Sequence, residues 1–270
     1  MKIDNGMLNA WVFERISRRI ITLLKKGIVP WANYWCTKEK GIPTNFVTRE
    51  KYGGVNLMLL SNNKRDLNLY ATKKQVESVG GILGPKARGY FFYDNGNSYE
   101  IVYHIKDCRQ LPYQYHVHPY PPVKSYKLSL AGKVAAGSRN NPKLKCRYID
   151  TKYDYVNDNI RIKKFKDFEY GEVYYYELFR ELIRSTGHPK RLKRVDGYTI
   201  HNKDTMFYEE LVCELGAAYL KNYTQLYLWM YADTFNIKKC ITCIEADCMY
   251  IIRAAYDAQK AVEYILNKVT

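Results

Sequence analysis

The positive charge of this chain of 270 residues is concentrated in its first half, and this asymmetry limits how the chain can fold. Residues 1–150 carry 25 Lys and Arg against 10 Asp and Glu, a balance of +15, whereas residues 151–270 carry 18 against 17, a balance of +1. An excess of positive charge confined to one half of a chain is typical of two separate domains rather than of a single domain. The sequence therefore predicts a module that binds a polyanion, joined to a nearly neutral second module.

Length and composition favour the same division. A chain of this length with 47% apolar residues can bury one large core or two modest ones, and we expect two. We place the first domain at residues 1–125 and the second at residues 146–270, separated by a basic linker at 126–145 in a stretch rich in Pro and Gly. No apolar run approaches the roughly 20 residues that span a membrane, and the first residues lack the hydrophobic segment of a secretory signal. A cytoplasmic protein without membrane contact is expected.

The cysteines agree with that compartment. The chain has seven, and an odd, scattered set does not describe a disulfide framework. Cys240, Cys243 and Cys248 form the only cluster. A structural zinc finger needs four ligands, usually as two spaced pairs, and no second pair or nearby histidine accompanies this cluster. We therefore expect buried thiols on a helix.

An amphipathic pattern predicts a helix over residues 10–26 that ends at Gly27. Its apolar positions are Phe13, Ile16, Ile20, Leu23 and Leu24. Its cations, which lie mostly on the opposite side, are Arg15, Arg18, Arg19, Lys25 and Lys26. A basic amphipathic helix can lie on a membrane, but such a stripe is also ordinary for a helix docked on a core. We expect docking, with the basic side facing phosphate.

Aromatic and basic residues alternate through residues 31–126, in a chain with 27 tyrosines and four tryptophans. Binding of single strands without sequence preference needs cations for the backbone and flat rings on which unpaired bases stack. We expect Trp31, Trp35 and Tyr52 to be stacking rings, because nearby Pro and Gly residues predict loops that keep a ring exposed. Four cations beside turn residues are candidate phosphate contacts: Lys73, Lys74, Lys86 and Arg88. Most rings will belong to the core, and each of these cations alone is equally consistent with a solvated surface.

The segment from Arg180 to Arg184 has the spacing of the zinc-binding motif H-E-x-x-H, with arginine at both histidine positions. In that motif the two histidines lie on one face of a helix and bind zinc, while the glutamate activates a water. Arginine stays protonated and offers no lone pair, so Arg180 and Arg184 cannot ligate zinc. Taken alone, the segment is also consistent with an ordinary amphipathic helix whose charges face solvent.

The sequence around this segment resembles the zincin-like C-terminal domain of the ArdC antirestriction family. In that family a helix of the type F-H-E-L-x-H-S-T-G-H precedes an E-E-L-V-x-E-L-G-A-A helix and a closing A-Q-K-A-x-x-Y-I-L helix. The matching residues are Phe179, Glu181, Leu182 and 185–188 in the first helix, 209–218 except Cys213 in the second, and 258–266 in the third. The two departures in the first helix fall on the metal-ligand positions.

The first half resembles the single-stranded-DNA-binding domain of the same family. Blocks of the types G-x-x-P-W, P-x-N, Y-x-G-x-N and T-x-x-Q, and one like G-x-K-x-G, stand in the family's order at residues 27–31, 43–45, 52–56, 72–75 and 84–89. On this resemblance Asn45, Arg49, Asn56 and Gln75 join the candidate DNA contacts. The resemblance implies an α+β fold with a mixed N-terminal module and a mainly helical zincin-like C-terminal module.

The resemblance also implies a role for two acids on the second helix. In glutamate-type zincins one glutamate is the third metal ligand, and an acid four residues further on orients a ligand histidine. Glu210 and Glu214 have that spacing. We expect no metal here; instead, Arg180 and Arg184 would replace its charge and pair with Glu210, Glu214 and Glu181 in a partly buried network.

Together these features predict non-sequence-specific binding of single-stranded DNA by a protein without a cofactor and with a catalytically inactive peptidase domain. The resemblance implies a plasmid or phage protein that shields incoming DNA from host restriction, whose second domain is a scaffold or a surface for a protein partner. One alternative is a zinc peptidase with a site rebuilt from His188, His201 and Glu210, although His188 is expected to cap the turn after its helix. The other is a structural or virion-packaged phage protein without DNA affinity.

Overall fold

The computed structural model describes residues 5–32, 41–61, 65, 67–94, 98–116, 128–137, 140–146, 148, 150–195, 202–226 and 235–266. The chain divides into two compact units. Unit 1 comprises Met1–Lys124 together with Ala232–Ile252, and unit 2 comprises Ser125–Tyr231 together with Arg253–Thr270. The chain therefore returns to unit 1 after most of unit 2 has been built.

Unit 1 contains short strands between helices. Its elements are α1 (Asn5–Lys25), β1 (Thr44–Asn45), α2 (Val55–Ser61), β2 (Leu69–Thr72), α3 (Lys73–Ser78), β3 (Ile82–Leu83), β4 (Gly89–Asp94), β5 (Ser98–His104), β6 (Cys108–Arg109) and the returning helix α7 (Ile237–Ala246). Four strands form a sheet in the order β1-β2-β5-β4, in which only β1 and β2 are parallel. β3 and β6 pair separately as an antiparallel ribbon.

The alternation of side chains along β2 separates two apolar clusters. Leu69 and Ala71 belong to a cluster that also contains Phe46. Tyr70, between them, belongs to a second cluster with Tyr52. Because successive side chains of a strand point to opposite faces, this sheet buries apolar groups on both sides.

The predicted first helix is present and is longer than expected. α1 buries Val12, Ile16 and Ile20 and keeps Arg15 exposed, and it packs against α7 and β5. Gly27 has φ 72°, a left-handed conformation that favours glycine, so it terminates the helix as expected. Docking of the apolar stripe on a core is thereby confirmed.

Unit 2 is mainly helical. Its elements are α4 (Leu128–Gly137), β7 (Lys143–Cys146), β8 (Lys152–Asp154), β9 (Asn159–Ile162), α5 (Gly171–Thr186), α6 (Lys203–Thr224) and most of α8 (Tyr250–Ile265). The strands form a small sheet in the order β7-β9-β8, with β7 and β9 parallel. α5 and α6 pack closely at Gly216, where an added Cβ would meet Ile183 atoms at 2.7–2.8 Å.

Two boundaries differ from the expected ones. The stretch expected to be a linker, residues 126–145, contains α4, which packs against α5 and α6, and most of β7, which pairs with β9. Ala131 and Val134 of α4 are buried, so its apolar side is part of unit 2 despite the basic composition around it. α7, expected in the second domain, belongs to unit 1 because it covers α1.

The architecture confirms the expected α+β class with a mixed first module and a mainly helical second module. Within the described residues, no helix is both long enough and apolar enough to cross a membrane.

Candidate functional sites

Helices α5 and α6 bring five charged side chains together. Arg180 and Arg184 lie one turn apart on α5 with Glu181 beside them, and Glu210 and Glu214 lie one turn apart on α6. Residues four apart project from the same side of a helix, so the two helices present their charges to each other as two facing pairs. This set of five residues is called the arginine–glutamate centre below.

Glu210 is the hub of the arginine–glutamate centre. Its Oε1 accepts a hydrogen bond from Arg180 Nη2, and its Oε2 accepts one from Arg184 Nη2 at 2.7 Å. Arg180 Nη2 also lies 3.0 Å from Glu214 Oε1, and Arg184 Nε lies 3.1 Å from Glu181 Oε2. The ion-pair network expected from the sequence is confirmed.

Burial and charge oppose each other at this centre. Burial alone would raise the pKa of Glu210, but Arg184 and Arg180 outweigh it and hold that pKa below its usual value. Burial would likewise lower the pKa of Arg180, but Glu214 and Glu210 raise it above the ordinary value. Glu214, with a side chain only 8% exposed, differs: burial raises its pKa despite the nearby Arg180, and Tyr176 Oη donates to it at 3.1 Å. The centre thus favours two charged arginines facing an ionised Glu210.

Arg194, which follows α5 in the chain, forms a further ion pair with a glutamate of α6. Arg194 binds Glu209 through two hydrogen bonds, Nε to Oε1 at 3.0 Å and Nη2 to Oε2 at 3.1 Å, and its Nη1 donates to Thr186 Oγ1 at 3.0 Å. Glu181 is tied to the sheet as well, because its Oε2 accepts from the backbone N–H of Tyr153 at 2.7 Å. Sequence reasoning assigned no role to Arg194 or Tyr153; the only available signal was the run of basic residues after α5.

A second buried ion pair closes the turn after α5. The Arg191 side chain is only 2% exposed; its Nη2 donates to Asp158 Oδ1 and, at 2.9 Å, to Tyr153 Oη. Its Nε donates to the carbonyl of Ser185 at 2.6 Å. Burial would raise the pKa of Asp158, but hydrogen bonds from Arg191 and Tyr153 lower it to about 2. Unit 2 therefore positions α5 through paired charges on several sides.

Most of the predicted basic DNA contacts of unit 1 lie at its surface. The exposed residues of this group are Arg15, Arg18, Lys25, Lys26, Lys73, Lys74, Lys86 and Arg88. Arg19 and Arg49 are partly buried. Burial and the neighbouring Arg88 lower the pKa of Arg19, and Arg49 Nη2 donates to the carbonyl of Gln114 at 2.6 Å.

Two family models match the chain in tandem. Residues 11–107 match the N-terminal domain of anti-restriction factor ArdC, and residues 140–257 match a zincin-like metallopeptidase. The chain belongs to the ArdC-like family. No curated protein matches its sequence.

Solved structures share the two-domain fold of this ArdC-like chain. A crystal structure of the antirestriction ArdC protein from the R388 plasmid, bound to Mn(II), has a TM-score of 0.75 at 20% identity and covers 94% of this chain and 97% of that chain. The metal-free structure of the same plasmid protein has a TM-score of 0.72 at 19% identity and covers 94% and 96%.

The arginine–glutamate centre of this ArdC-like chain does not fit a metal ion. Arg180 and Arg184 stand at the two histidine positions of the motif, and their N–H groups point at the carboxylates that a metal would need. Within the described residues, no group of three or more His, Cys, Asp or Glu is arranged to hold a metal. His188 Nδ1 accepts from the backbone N–H of Lys190 at 3.2 Å in the turn after α5, as expected, and His201 lies outside the described residues.

Two of the three rings expected to be exposed in the ArdC-like N-terminal domain are buried. Trp31 is 1% exposed and packs edge-on against Phe235, with ring centroids 5.8 Å apart. Tyr52 is 8% exposed; its hydroxyl donates to the carbonyl of Tyr70 at 3.3 Å, and burial raises its pKa. The expectation of exposed stacking rings was therefore wrong for Trp31 and Tyr52. Trp35 lies outside the described residues.

Three polar candidates of the same domain hold the fold together. The buried Asn56 donates to the carbonyl of Tyr93 at 2.9 Å and accepts from its N–H at 2.8 Å. The buried Asn45 donates to Gln75 Oε1 at 2.9 Å. Gln75 also completes the capping box of α3 with Thr72. We correct the assignment of Asn45, Asn56 and Gln75 as DNA contacts, because their amide groups are used within the protein.

Sequence reasoning also missed an exposed ring. Trp11, on the first part of α1, is 48% exposed and lies beside Arg15. No Pro or Gly marks it as a loop residue, so the criterion used to choose stacking rings passed it over. Its position on the side of α1 that carries the cations was the signal available.

Proposed function

We propose that this ArdC-like protein binds single-stranded DNA without sequence preference. The observation that carries the proposal is the set of exposed cations on the unit whose sequence matches the N-terminal domain of anti-restriction factor ArdC. Lys and Arg side chains bind phosphates irrespective of base sequence, and each contact releases counterions. The near-neutral residues 151–270 have no comparable excess of positive charge.

We further propose an antirestriction role in the cytoplasm of a host cell, for a plasmid or phage whose DNA has just entered. The support is the family of the chain and the likeness of its fold to a plasmid protein described as antirestriction ArdC. The test is the transfer of an unmodified plasmid into a restricting host that makes the protein. Transfer should rise toward the frequency in a non-restricting host; an unchanged transfer frequency would contradict the role.

The C-terminal domain is proposed to be inactive as a peptidase and to act as a scaffold or a surface for a protein partner. The plasmid relative has been crystallised with Mn(II), but in this chain two guanidinium groups stand at the histidine positions of the motif. Purified protein dialysed against zinc or manganese should contain much less than one metal ion per chain, and a chelator should leave its unfolding temperature unchanged. The double variant Arg180→His/Arg184→His supplies the positive control, because it restores nitrogen ligands beside Glu210. Stoichiometric metal in the wild type would overturn this part of the proposal.

DNA binding is tested by titrating labelled oligonucleotides of one sequence in single- and double-stranded form, at several salt concentrations. Tighter binding of the single strand is expected, and the logarithm of the affinity should fall linearly with the logarithm of the salt concentration. Oligonucleotides of scrambled sequence should bind within about threefold, as expected for contacts to phosphate rather than to base edges.

Two outcomes would remove the proposal. Absence of binding at low salt would favour a structural protein without DNA affinity. Binding that ignores salt would show that the exposed cations of unit 1 are not the contact surface.

A further inference from the structure

One side of α1 combines an exposed ring with a line of cations. Trp11, Arg15, Arg18 and Lys25 are all exposed, whereas Val12 and the apolar positions that follow it are buried. Steps of three, four and seven residues keep these side chains on one side of the helix. At 1.5 Å per residue, Trp11 and Lys25 lie about 21 Å apart along the axis, enough for several nucleotides of an extended strand.

The cations on this side differ in what they contact. Arg18 pairs with Glu14 at 3.1 Å, and Lys25 pairs with Glu245 at 2.7 Å. Arg15 makes no ion pair within the part of the chain that the structure describes; its guanidinium instead lies 5.2 Å from the ring centroid of Trp11 and 5.2 Å from that of Phe91. Arg15 is thus oriented by aromatic faces, and no carboxylate among the described side chains pairs with its positive charge.

The rings around Arg15 form a continuous patch. Trp11 and Phe91 meet edge to face with centroids 6.0 Å apart, and Phe91 meets Tyr99 with centroids 5.8 Å apart. Trp11 is 48% exposed, whereas Phe91 and Tyr99 on β4 and β5 are partly buried. These four residues, Trp11, Arg15, Phe91 and Tyr99, are called the aromatic platform below. Its outer member offers a flat apolar face, and its inner members fix that face in place.

We propose that the aromatic platform is a base-stacking site for single-stranded DNA, with an unpaired base on Trp11 and a neighbouring phosphate on Arg15. This proposal rests on the proposed DNA-binding function and names the residues that distinguish a single strand from a duplex. In a duplex the base faces are already stacked on each other, so a ring at the surface gains little from them. Phosphate contacts by the other exposed cations of unit 1 are available with either form.

The competing candidates in the same unit have less support. Trp31 and Tyr52 are buried. Tyr113 is 83% exposed, but none of the arginines that the structure describes lies at its ring. In the groove between α1 and α7, the cations Arg18 and Lys25 are paired with Glu14 and Glu245, so the groove has no excess of positive charge for a phosphate.

The experiment compares the affinity of the wild type and three variants for an oligothymidine of about 12 nucleotides. Trp11→Ala should weaken binding by about 5- to 150-fold, the range for one stacked base, without changing the salt slope. Trp11→Phe, which keeps a ring, should bind within about threefold of the wild type. The matched control is Tyr170→Ala, which removes a 57% exposed ring from unit 2 and should change nothing.

Two further readouts identify the stacking itself. Oligothymidine should quench part of the tryptophan fluorescence of the wild type, and Trp11→Phe should lose that part while still binding. Arg15→Gln should reduce the magnitude of the salt slope by about 0.7, the value for one phosphate contact on a single strand, whereas Trp11→Ala should not.

The outcomes distinguish failure of the stacking-site proposal from failure of the DNA-binding proposal on which it rests. If the wild type binds single strands and Trp11→Ala binds equally well with unchanged quenching, the platform is wrong and the DNA-binding proposal stands. If the wild type does not bind, both fail. If Trp11→Ala weakens single- and double-strand binding equally, this surface contacts only the DNA backbone. If Trp11→Ala converts a dimer to a monomer, the surface contacts a second copy of the chain. Either result overturns the stacking site.

Discussion

At the scale of single residues, Glu210 shows how two positive charges are compensated by one acid that belongs to another helix. Both of its carboxylate oxygens are used, one for Arg180 and one for Arg184. Glu181 and Glu214 each approach only one of the arginines. Loss of the charge of Glu210 would therefore leave two guanidinium groups half-buried and short of a partner.

The variant Glu210→Gln is expected to lower the free energy of unfolding of unit 2 by about 1–3 kcal/mol, below the full cost of breaking a buried pair because the Glu210 side chain is 31% exposed. Hydrogen exchange of the α5 and α6 amides measures the change. The control is Glu263→Gln on α8, where the carboxylate accepts from Gln259 at 2.9 Å, and this variant should shift the free energy by less than about 0.5 kcal/mol. Equal effects of the two substitutions would show that the centre contributes nothing specific.

Lys221 on α6 gives a prediction about pH. It is 1% exposed, and burial lowers its pKa to about 8 although Glu214 acts in the opposite direction. In the unfolded chain a lysine titrates near 10.4, so between these values the folded protein binds fewer protons than the unfolded chain. Stability must then rise with pH in this window.

Relative to Lys221→Met, the wild type should gain about 2 kcal/mol in free energy of unfolding when the pH is raised from 7 to 9.5. Urea unfolding of both proteins at the two pH values measures the difference. The subtraction removes the contribution of other groups, including the buried tyrosines that titrate at higher pH. Parallel pH profiles of the two proteins would mean that Lys221 is not desolvated.

At the scale of elements, the contact between α5 and α6 depends on the absence of one side chain. An alanine Cβ at Gly216 would lie 2.7 Å from Ile183 Cδ1 and 2.8 Å from Cγ1 and Cγ2, and Ile183 is fully buried. The small residue lets the two helices approach closely enough for Glu210 and Arg184 to meet at 2.7 Å. The ion pairs between α5 and α6 therefore depend on the close packing of the two helices at Gly216.

Gly216→Ala should destabilise unit 2 by about 1–3 kcal/mol, because the clash with Ile183 exceeds the gain of about 1 kcal/mol from a better helix former. Gly137→Ala on α4 is the matched control, since an added Cβ there meets nothing within 4 Å. That control should be neutral or stabilising. The urea midpoints of the two variants, compared with that of the wild type, measure these changes in stability. A stabilised Gly216→Ala would show that α5 can move away from α6 at little cost.

The elements also show what the sequence could predict. The stripe of α1 and its stop at Gly27 were predictable because both depend on local spacing and backbone conformation. Helical spacing fixed which residues of the arginine–glutamate centre share a side, whereas the pairing of α5 with α6 was predicted from the resemblance to the ArdC family. The burial of Trp31 was not, because its ring is covered by Phe235, more than 200 residues further along the chain.

At the scale of the whole molecule, unit 1 is not continuous in sequence. α7 supplies several of its contacts: Lys25 pairs with Glu245 at 2.7 Å, and α1 packs along α7. Nearby, Ser17 Oγ donates to the carbonyl of Cys248 at 2.6 Å. The first domain as expected from the sequence, residues 1–125, ends before α7 and therefore lacks all of these contacts.

A fragment comprising residues 1–125 should therefore be less stable than unit 1 in the full chain and should bind a hydrophobic dye, because the apolar side of α1 loses the cover of α7. The control is the same fragment joined by a Gly- and Ser-rich linker to residues 232–252, which should recover the native near-ultraviolet circular dichroism. A well-folded fragment 1–125 would show that α7 is dispensable.

The arginine–glutamate centre has a consequence for how the protein is made. A bound ion has an occupancy that depends on its concentration in the cell, and a chain that needs one is incomplete until the ion arrives. The cations of Arg180 and Arg184 are covalently part of the chain, so their occupancy is full from the moment of synthesis. The positive charge at the arginine–glutamate centre is therefore present in every copy of unit 2, at any supply of metal.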